Sequence, residues 1–358
     1  MDKRIVLASA GSGKTYYIAN SFSDDDRVFL ITFTNQNANN IREEIKKRYL
    51  GNIPENVKIS TFDSFVYNHL IRPFEPISIF PELRSKGVEV NISPETNPRN
   101  FNSYISNDKL GHYVINDKFY VLRLSKFFMK QTEYFKNTAL KRLKDFCDSV
   151  YIDEFQDYNG WDFKLMKYLL ESASVNVISV GDIYQSLVTT IRSDGNGSNK
   201  PFSNISSVQD LKAKFISEVK IDTQTLLKSR RVCSDVCNFI NTNLGIPIES
   251  ASEENGGVNI IEDLNELSNI LADPSIIKLI WNKKVKCDGM INCVNWSYSK
   301  GDTYSKICVI LTNQTDDLSN WNNLKPKVRN MLYVALTRST GVVYLVKSSI
   351  LKTWKESR

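Results

Sequence analysis

The chain has 358 residues, of which 41% are hydrophobic and 24% charged, a composition typical of a globular protein with room for two domains. Its 46 basic and 40 acidic residues give a net charge of +6, which excludes a polybasic tail but permits a local nucleic-acid groove. No signal peptide opens the chain, and no apolar stretch is long enough to span a bilayer. We therefore expect a cytoplasmic protein with no membrane partner.

The first element is a strand at residues 5–7, followed by the glycine-rich loop Ala-Ser-Ala-Gly-Ser-Gly-Lys-Thr at 8–15 and a helix-compatible stretch at 16–21. This context and the G-K-T ending predict a variant phosphate-binding P-loop, with Ala8 in place of the usual first glycine. Small residues allow backbone N–H groups to surround a phosphate, and Lys14 adds a positive charge. The hydroxyl of Thr15 can ligate Mg²⁺. A flexible turn is the weaker alternative because both flanks fit the P-loop. The predicted nucleotide-binding residues here are Ala10, Gly11, Ser12, Gly13, Lys14 and Thr15.

Strands predicted at 28–33 and 57–60 alternate with helices at 35–50 and 61–71, a pattern typical of a parallel α/β sheet. Residues 73–136 are rich in Pro, Asn and Ser and look inserted, with helical apolar spacing only near 119–135. The sheet resumes at 149–152 and 175–180, with a helix at 161–170 between them.

Asp153 and Glu154 directly follow an apolar strand at 150–152. They therefore lie at the carboxyl end of that strand, which is where α/β sheets bind their ligands. Asp153 can hold Mg²⁺, and Glu154 can orient or deprotonate an attacking water, as phosphoryl transfer requires. A solvated acidic turn is the alternative. The P-loop upstream in the same sheet favours the chemical interpretation.

Residues 192–207 have linker composition, and α/β alternation resumes beyond them. The pattern predicts helices at 232–243, at 276–282 and from Pro326, and strands at 258–261, 290–294, 306–311 and 342–346. The six cysteines are scattered, and only Cys233 and Cys237 lie four residues apart, so reduced core thiols are favoured over zinc or an iron–sulfur cluster.

Residues 8–15 together with Asp-Glu-Phe-Gln-Asp at 153–157 resemble the UvrD/Rep/PcrA-type superfamily 1 helicases. Segments similar to the other motifs of this family follow in order at 32–36, 60–65, 180–186, 226–232, 298–301 and 332–338. The ordered set is specific, although each segment alone could arise by chance. The resemblance implies an α/β fold of two RecA-like parallel-sheet lobes with an ATP cleft between them and reduced accessory insertions.

In domain terms, residues 1–74 and 136–198 would form the first lobe, 75–135 a small inserted subdomain, and 199–358 the second lobe. Residues 244–290 are too few for the large insertion of the family and would form its vestige. The cofactors implied are ATP and Mg²⁺, with Thr15 and Asp153 as the metal ligands.

The resemblance also implies roles for residues far along the chain. Gln185 would couple the γ-phosphate to the DNA groove, Arg231 would contact phosphate, and Arg338 would act as an arginine finger. Lys300 and Gly301 would join the nucleotide site. Cations from outside the P-loop suit the negative charge that a γ-phosphate accumulates during transfer, whereas surface ion pairs are the alternative for both arginines.

The candidate single-stranded DNA contacts come from the first two of these family segments. Hydroxyls and amides can hold phosphates without reading sequence, and exposed aromatic rings can stack on bases. Core packing remains open for Phe33 and Phe62 and is favoured for Phe65. The predicted contacts are Phe33, Thr34, Asn35, Thr61, Phe62 and Ser64.

Departures from the family pattern leave base selectivity open. Too few residues precede the P-loop for the adenine-reading glutamine motif, and Arg230 replaces the expected stacking aromatic. Residues 187–191 lack the usual DNA-stacking aromatic–arginine pair, and residues 302–304 lack the usual acidic contact.

Two functions are consistent with these patterns. The first is an ATP-dependent single-stranded DNA translocase or helicase, with 3′-to-5′ polarity implied by the resemblance alone. The alternative is a nucleotide- and DNA-sensing regulatory subunit, similar to the helicase-like partners of OLD-family nucleases in Gabija-type antiphage systems.

Overall fold

Strands and helices alternate through both halves of the chain. The structure is a computed structural model that describes residues 1–100, 102–186, 200–202, 205, 207–282, 285 and 289–357. In chain order its strands are β1 (Lys3–Ala8), β2 (Val28–Thr32), β3 (Val57–Thr61), β4 (Gly87–Glu89), β5 (Val114–Ile115), β6 (Lys118–Tyr120), β7 (Ser149–Asp153), β8 (Asn176–Gly181), β9 (Lys220–Leu226), β10 (Lys228–Ser229), β11 (Glu249–Ser250), β12 (Gly257–Ile261), β13 (Ile277–Ile280), β14 (Cys293–Asn295), β15 (Tyr304–Ile310) and β16 (Ser339–Val346). Its α-helices are α1 (Lys14–Asn20), α2 (Asn35–Arg48), α3 (Phe62–Phe65), α4 (Leu124–Met129), α5 (Glu133–Phe146), α6 (Gly160–Ser172), α7 (Val208–Lys212), α8 (Ser234–Leu244), α9 (Leu264–Ala272), α10 (Pro326–Leu336) and α11 (Ser348–Glu356). A π-helix, Val66–Ile71, follows α3.

The first sheet has six strands in the order β3-β2-β7-β8-β1-β9. Every neighbouring pair is parallel, so the carboxyl ends of the strands meet at one edge of the sheet. Strands β2 and β7 are buried along their whole length because helices cover both faces of the sheet. The P-loop follows β1 and the acidic pair follows β7, so both lie at the same edge.

The second sheet has five parallel strands in the order β12-β16-β15-β13-β14. One continuous cluster of buried apolar side chains joins it to the first sheet, from Ile5 and Val150 on one side to Leu279 and Val343 on the other. Two smaller clusters cover the remaining faces of the two sheets. The two halves therefore share a core rather than being joined only by a linker.

One helix prediction is wrong, and one stretch with helical spacing is helical only in part. Strand β13, Ile277–Ile280, lies where a helix was predicted at 276–282, because a short apolar run rich in isoleucine fits either structure until its neighbours are known. Near 119–135, the structure has β6, then α4, and then α5, whose first turn is capped by the Thr132 hydroxyl.

The first sheet includes a strand from beyond residue 198, where the predicted first lobe ends. Strand β9 falls within the predicted second lobe, yet it pairs in parallel with β1 and completes the first sheet. The predicted vestigial insertion, residues 244–290, contains β12 and β13, which are strands of the second sheet. The linker predicted at 192–207 lies largely outside the described residues. Within the described ranges, no helix combines the length and apolar character that crossing a membrane requires.

The junction between β12 and β16 gives a matched test of packing. An alanine Cβ at Gly256 would lie 2.2 Å from the backbone oxygen of Gly341, which cannot move without shifting a strand. Because overpacking of this kind typically costs about 1–3 kcal/mol, we expect Gly256→Ala to lower the free energy of unfolding by that amount. Urea unfolding followed by circular dichroism measures it.

Gly257→Ala is the control, since its Cβ would have its nearest neighbour at 3.9 Å. Equal urea midpoints for the two variants would contradict the described approach of β12 to β16.

Candidate active site

A cleft of about 630 Å³ opens where the P-loop faces the second half of the chain. Most of the predicted nucleotide-site and catalytic side chains lie on its walls, which are Gly11, Ser12, Gly13, Lys14, Thr15, Asp153, Glu154, Gln185, Arg231, Lys300, Gly301 and Arg338. Residues that the sequence analysis did not assign to this site also line it, namely Tyr16, Thr34, Asn37, Asn40, Glu44, Asp157 and Arg230. Residues separated by most of the chain therefore converge on one site.

The glycine loop packs directly against the segment that carries Arg231. Gly11 has a φ of 74°, and a Cβ there would lie 2.5 Å from the Cβ of Arg231, so only glycine fits. The Ser229 hydroxyl donates to the Ala10 carbonyl at 2.7 Å, and the Arg230 N–H donates to the Gly11 carbonyl at 2.9 Å. The second half thus fixes the shape of the loop.

The two carboxylates at the end of β7 have different environments. Glu154 has a φ of 51°, an uncommon backbone conformation for a residue other than glycine, and its side chain lies 3.6 Å from the Lys14 ammonium. Burial, together with the neighbouring charge of Glu154, raises the pKa of Asp153. Burial alone would also raise the pKa of Glu154, but Lys14 and Lys300 lower it. The two lysines therefore favour the charged form of Glu154, while burial disfavours the charged form of Asp153.

Lys300, from the second half, reaches across the cleft to the carboxylates of the first. Its ammonium pairs with Asp157 at 2.9 Å. Burial would lower the pKa of Lys300, but Asp157 and Glu154 raise it, so the side chain remains a cation. This ion pair joins the two walls of the cleft.

Arg231 and Arg338 form no ion pair with a carboxylate anywhere in the described part of the chain. Arg338 is 1% exposed, and its guanidinium donates to the carbonyl of Val334 at 2.8 Å and to the hydroxyl of Thr337 at 3.1 Å. Burial, and then the neighbouring Arg231, lower the pKa of Arg338 to about 10. The structure therefore excludes the surface ion pairs considered above and leaves two cations facing the cleft.

A buried network connects the P-loop to the second half. The Ala10 N–H, which lies behind the cleft wall, donates to the Tyr333 hydroxyl at 3.0 Å, and that hydroxyl donates to Asp182 at 3.1 Å. The Gln185 amide donates to the same oxygen of Asp182 at 2.9 Å. Burial raises the pKa of Asp182, and these donors stabilise its charged form. Tyr333 and Asp182 both lie in segments that resemble family motifs, and that resemblance was the sequence signal that could have identified them. The sequence analysis assigned a role to neither residue.

Gln156 links this network to the acidic pair. Its side-chain oxygen accepts the Asp182 N–H at 3.1 Å, and its side-chain nitrogen donates to Glu154. Gly181 is required beside it, since a Cβ there would lie 2.1 Å from the Gln156 oxygen. Gln156 thus couples the orientation of the Glu154 side chain to the end of β8, where Asp182 lies.

The predicted DNA contacts divide into two groups. Thr34, Asn35 and Ser64 are exposed and Phe33 and Thr61 are half-buried, and all five follow or end β2 and β3, whose last residues Thr32 and Thr61 are paired. Phe62 is 1% exposed and packs edge-on against Tyr158. Its assignment as a base-stacking residue is therefore corrected, because neither ring face is free. Thr34 also lines the cleft.

The donor set suits Mg²⁺ bound together with phosphate. Within the described residues no group of three or more His, Cys, Asp or Glu side chains is arranged to hold a metal by itself. The Thr15 hydroxyl and the Asp153 carboxylate both line the cleft, and Mg²⁺ commonly binds to one or two protein oxygens, substrate phosphates and water. A dication would also relieve the repulsion between Asp153 and Glu154.

Residues 2–118 and 115–188 match the family of the UvrD/REP helicase N-terminal domain, which together is more than half of the chain. The chain belongs to this helicase family. It is 23% identical over 285 residues to the Gabija protein GajB of Bacillus cereus, covering 75% of this chain and 50% of that protein. It is 26% identical over 232 residues to a probable DNA helicase II homolog of Mycoplasma genitalium, covering 50% of this chain and 33% of that protein.

The fold of this UvrD/REP family member is that of a helicase. A solved arterivirus nonstructural protein 10 helicase, in complex with DNA, superposes on 96% of this chain and 60% of its own, with a TM-score of 0.50 and 12% identity. That likeness concerns the fold alone. The chain spans about half or less of the length of the two curated relatives it matches.

The buried hydroxyl of Tyr333 offers a test of the network. Tyr333→Phe removes the acceptor of the Ala10 N–H and one donor to Asp182 while keeping the ring. Because an unsatisfied buried polar group costs about 1–3 kcal/mol, we expect a loss of stability of that size, measured by urea unfolding.

Tyr344→Phe, at a half-buried position on β16, is the control. An unchanged unfolding midpoint for Tyr333→Phe would show that the network contributes nothing to stability.

Proposed function

We propose that this chain is a Mg²⁺-dependent ATPase that translocates along single-stranded DNA by opening and closing its cleft. The observation that carries the proposal is the two-sided cleft, with the glycine loop and Lys14 on one wall and two unpaired guanidinium groups on the other. Such an arrangement suits a polyanion held between two lobes. The family membership supports a helicase-like action on nucleic acid.

The P-loop residues would bind the phosphates through backbone N–H groups and the Lys14 ammonium. Thr15 and Asp153 would hold Mg²⁺, which when bound neutralises charge on the phosphates. Glu154, held as a carboxylate by Lys14 and Lys300, would orient the attacking water and accept its proton. Arg231 and Arg338 would stabilise the charge that develops on the transferred phosphoryl group.

Coupling to DNA would run through the network around Asp182. Gln185 and Tyr333 both donate to that carboxylate, and Ala10 donates to the Tyr333 hydroxyl, so a change at the P-loop alters contacts between the halves. If closure is favoured only while the triphosphate is intact, hydrolysis releases the second half from the first. We propose lobe boundaries that follow the sheets, with the first lobe extending through β9 and the second beginning after it.

The DNA strand would cross the carboxyl ends of β2 and β3. Thr34, Asn35, Thr61 and Ser64 offer hydroxyl and amide groups to phosphates, and the partly exposed Phe33 offers a ring to a base. None of these contacts reads a base edge, so the proposal is binding without sequence preference.

A second candidate is a regulatory subunit that senses nucleotide and DNA for a nuclease partner in antiphage defence. The similarity to Gabija protein GajB favours it. ATPase assays on the isolated chain, with size-exclusion chromatography, separate the two. Strong stimulation of a monomer by single-stranded DNA supports the motor, whereas turnover only after an OLD-family nuclease is added supports the subunit.

The role of Glu154 is tested by Glu154→Gln, which keeps the shape and removes the base. We expect ATP binding to persist and kcat to fall by about 10²–10⁴-fold, since general-base catalysis contributes that much. Fluorescent-nucleotide binding and phosphate release measure the two effects.

Glu43→Gln, at an exposed site on the outer side of α2 where Glu43 pairs with Lys46, is the control. Phosphate release by Glu154→Gln at the unmodified rate would assign the base to another residue.

The proposed DNA contact is tested by Phe33→Ala. Loss of one stacked base costs about 1–3 kcal/mol, so affinity for a labelled oligothymidylate should fall by about 5- to 150-fold while ATP binding is unchanged. Fluorescence anisotropy at fixed salt measures it.

Tyr134→Ala removes an exposed aromatic ring from α5 and is the control. Equal oligothymidylate affinities for the two variants would show that the bound DNA does not contact Phe33.

A further inference from the structure

A groove of about 310 Å³ runs along β3, the strand at one edge of the first sheet. Arg42 from α2 lines one side of the groove, and His69 from the π-helix Val66–Ile71 lines the other. These two helices cover opposite faces of the sheet, since Ile41 of α2 and Val66 of the π-helix belong to different core clusters. The groove therefore lies between the two helical layers, in the position that a further strand would occupy.

The backbone of β3 offers hydrogen-bonding groups to this groove. The Val28 N–H donates to the Asn56 carbonyl at 2.8 Å, and in a parallel ladder successive residues alternate between facing the neighbouring strand and facing away. Ile59 therefore directs its N–H and carbonyl away from β2. That carbonyl accepts a hydrogen bond from Arg42 at 3.3 Å. Among the described residues no strand pairs with β3 on this side.

The groove is also positively charged. Arg42 and Lys58 line it, and Arg142 is close enough to His69 to influence its titration. None of these three cations forms an ion pair with a carboxylate among the described residues. Burial, with Arg142 and Lys58 nearby, lowers the pKa of His69, so the ring adds hydrogen-bonding atoms rather than charge. The Nδ1 of His69 and the hydroxyl of Ser60 have no hydrogen-bond partner among the residues that the structure describes.

Apolar groups flank the charged ones. Phe29 and Ile53 line the groove, and the turn between α2 and β3 projects Leu50, which is 95% exposed and has a φ of 53°. Ile53 is also partly exposed, so the groove offers apolar surface beside its charged groups. Phosphates would use the cations but not the outward backbone groups or the apolar side chains.

We propose that the β3 edge is a docking site for an acidic, extended segment of a partner protein, which adds to the first sheet as a seventh strand. The incoming backbone pairs with Ile59, its carboxylates face Lys58 and Arg42, and its apolar side chains contact Phe29 and Ile53. Edge strands are common sites of this kind of recognition. The proposal does not depend on the nucleotide cleft.

The test uses a labelled ten-residue peptide in which glutamate and valine alternate, with its lysine–valine counterpart as the charge control. We expect saturable binding of the acidic peptide alone by fluorescence anisotropy. Lys58→Glu should weaken it at least tenfold, and Lys118→Glu, at an exposed lysine of β6, should not. Ile59→Pro removes only an outward N–H, which edge strands tolerate, and should also weaken binding at least tenfold.

Hydrogen exchange gives the second readout. The acidic peptide should slow exchange of the Ile59 amide, while an oligothymidylate should not. Failure of the acidic peptide to bind, or unchanged binding to both Lys58→Glu and Ile59→Pro, would overturn the proposal. Equal protection by the oligothymidylate would make the groove a nucleic-acid contact instead.

Discussion

Two guanidinium groups, those of the half-buried Arg231 and the buried Arg338, face the cleft with no carboxylate paired to them among the described residues. Removing a cation from water costs free energy unless an anion compensates it, and the repulsion between two neighbouring cations adds to that cost. The depressed pKa of Arg338 reflects both effects. An anion in the cleft would compensate both charges, so the fold is arranged around a group that it does not itself supply.

The glycine loop, on the opposite wall of the cleft, takes its shape from contacts with distant residues as well as from its own sequence. Gly11 accommodates the Cβ of Arg231, and the Ser229 hydroxyl holds the Ala10 carbonyl, so the loop that would receive phosphate is shaped by residues more than 200 positions away. The Tyr333 hydroxyl ties the same loop to Asp182. Because these contacts join the two halves, a structural change in the cleft alters contacts made by both sheets.

Local signals predicted the elements that carry chemistry, while long-range contacts decided the rest. The P-loop and the acidic pair follow apolar strands, and β1 and β7 formed where expected. Strand β9 has a polar sequence without apolar alternation, and among the described residues it pairs along one side only, so nothing local predicts it. The hydrogen bond between Ala10 and Tyr333 spans 323 positions and could not be predicted from either segment. For Phe62, the sequence could not distinguish a stacking ring from a packed one, and its contact with Tyr158 decides for packing.

The late position of β9 has a consequence for how the protein is made. Strand β1 is synthesised before the other described strands of its sheet, and its neighbour β9 is complete only when Leu226 has been added. During that interval the nascent chain exposes one unpaired edge of the strand that leads into the P-loop, and such edges promote aggregation. A fragment ending at residue 198 would retain this open edge permanently, so the shortest autonomous piece of the first half must extend through Leu226.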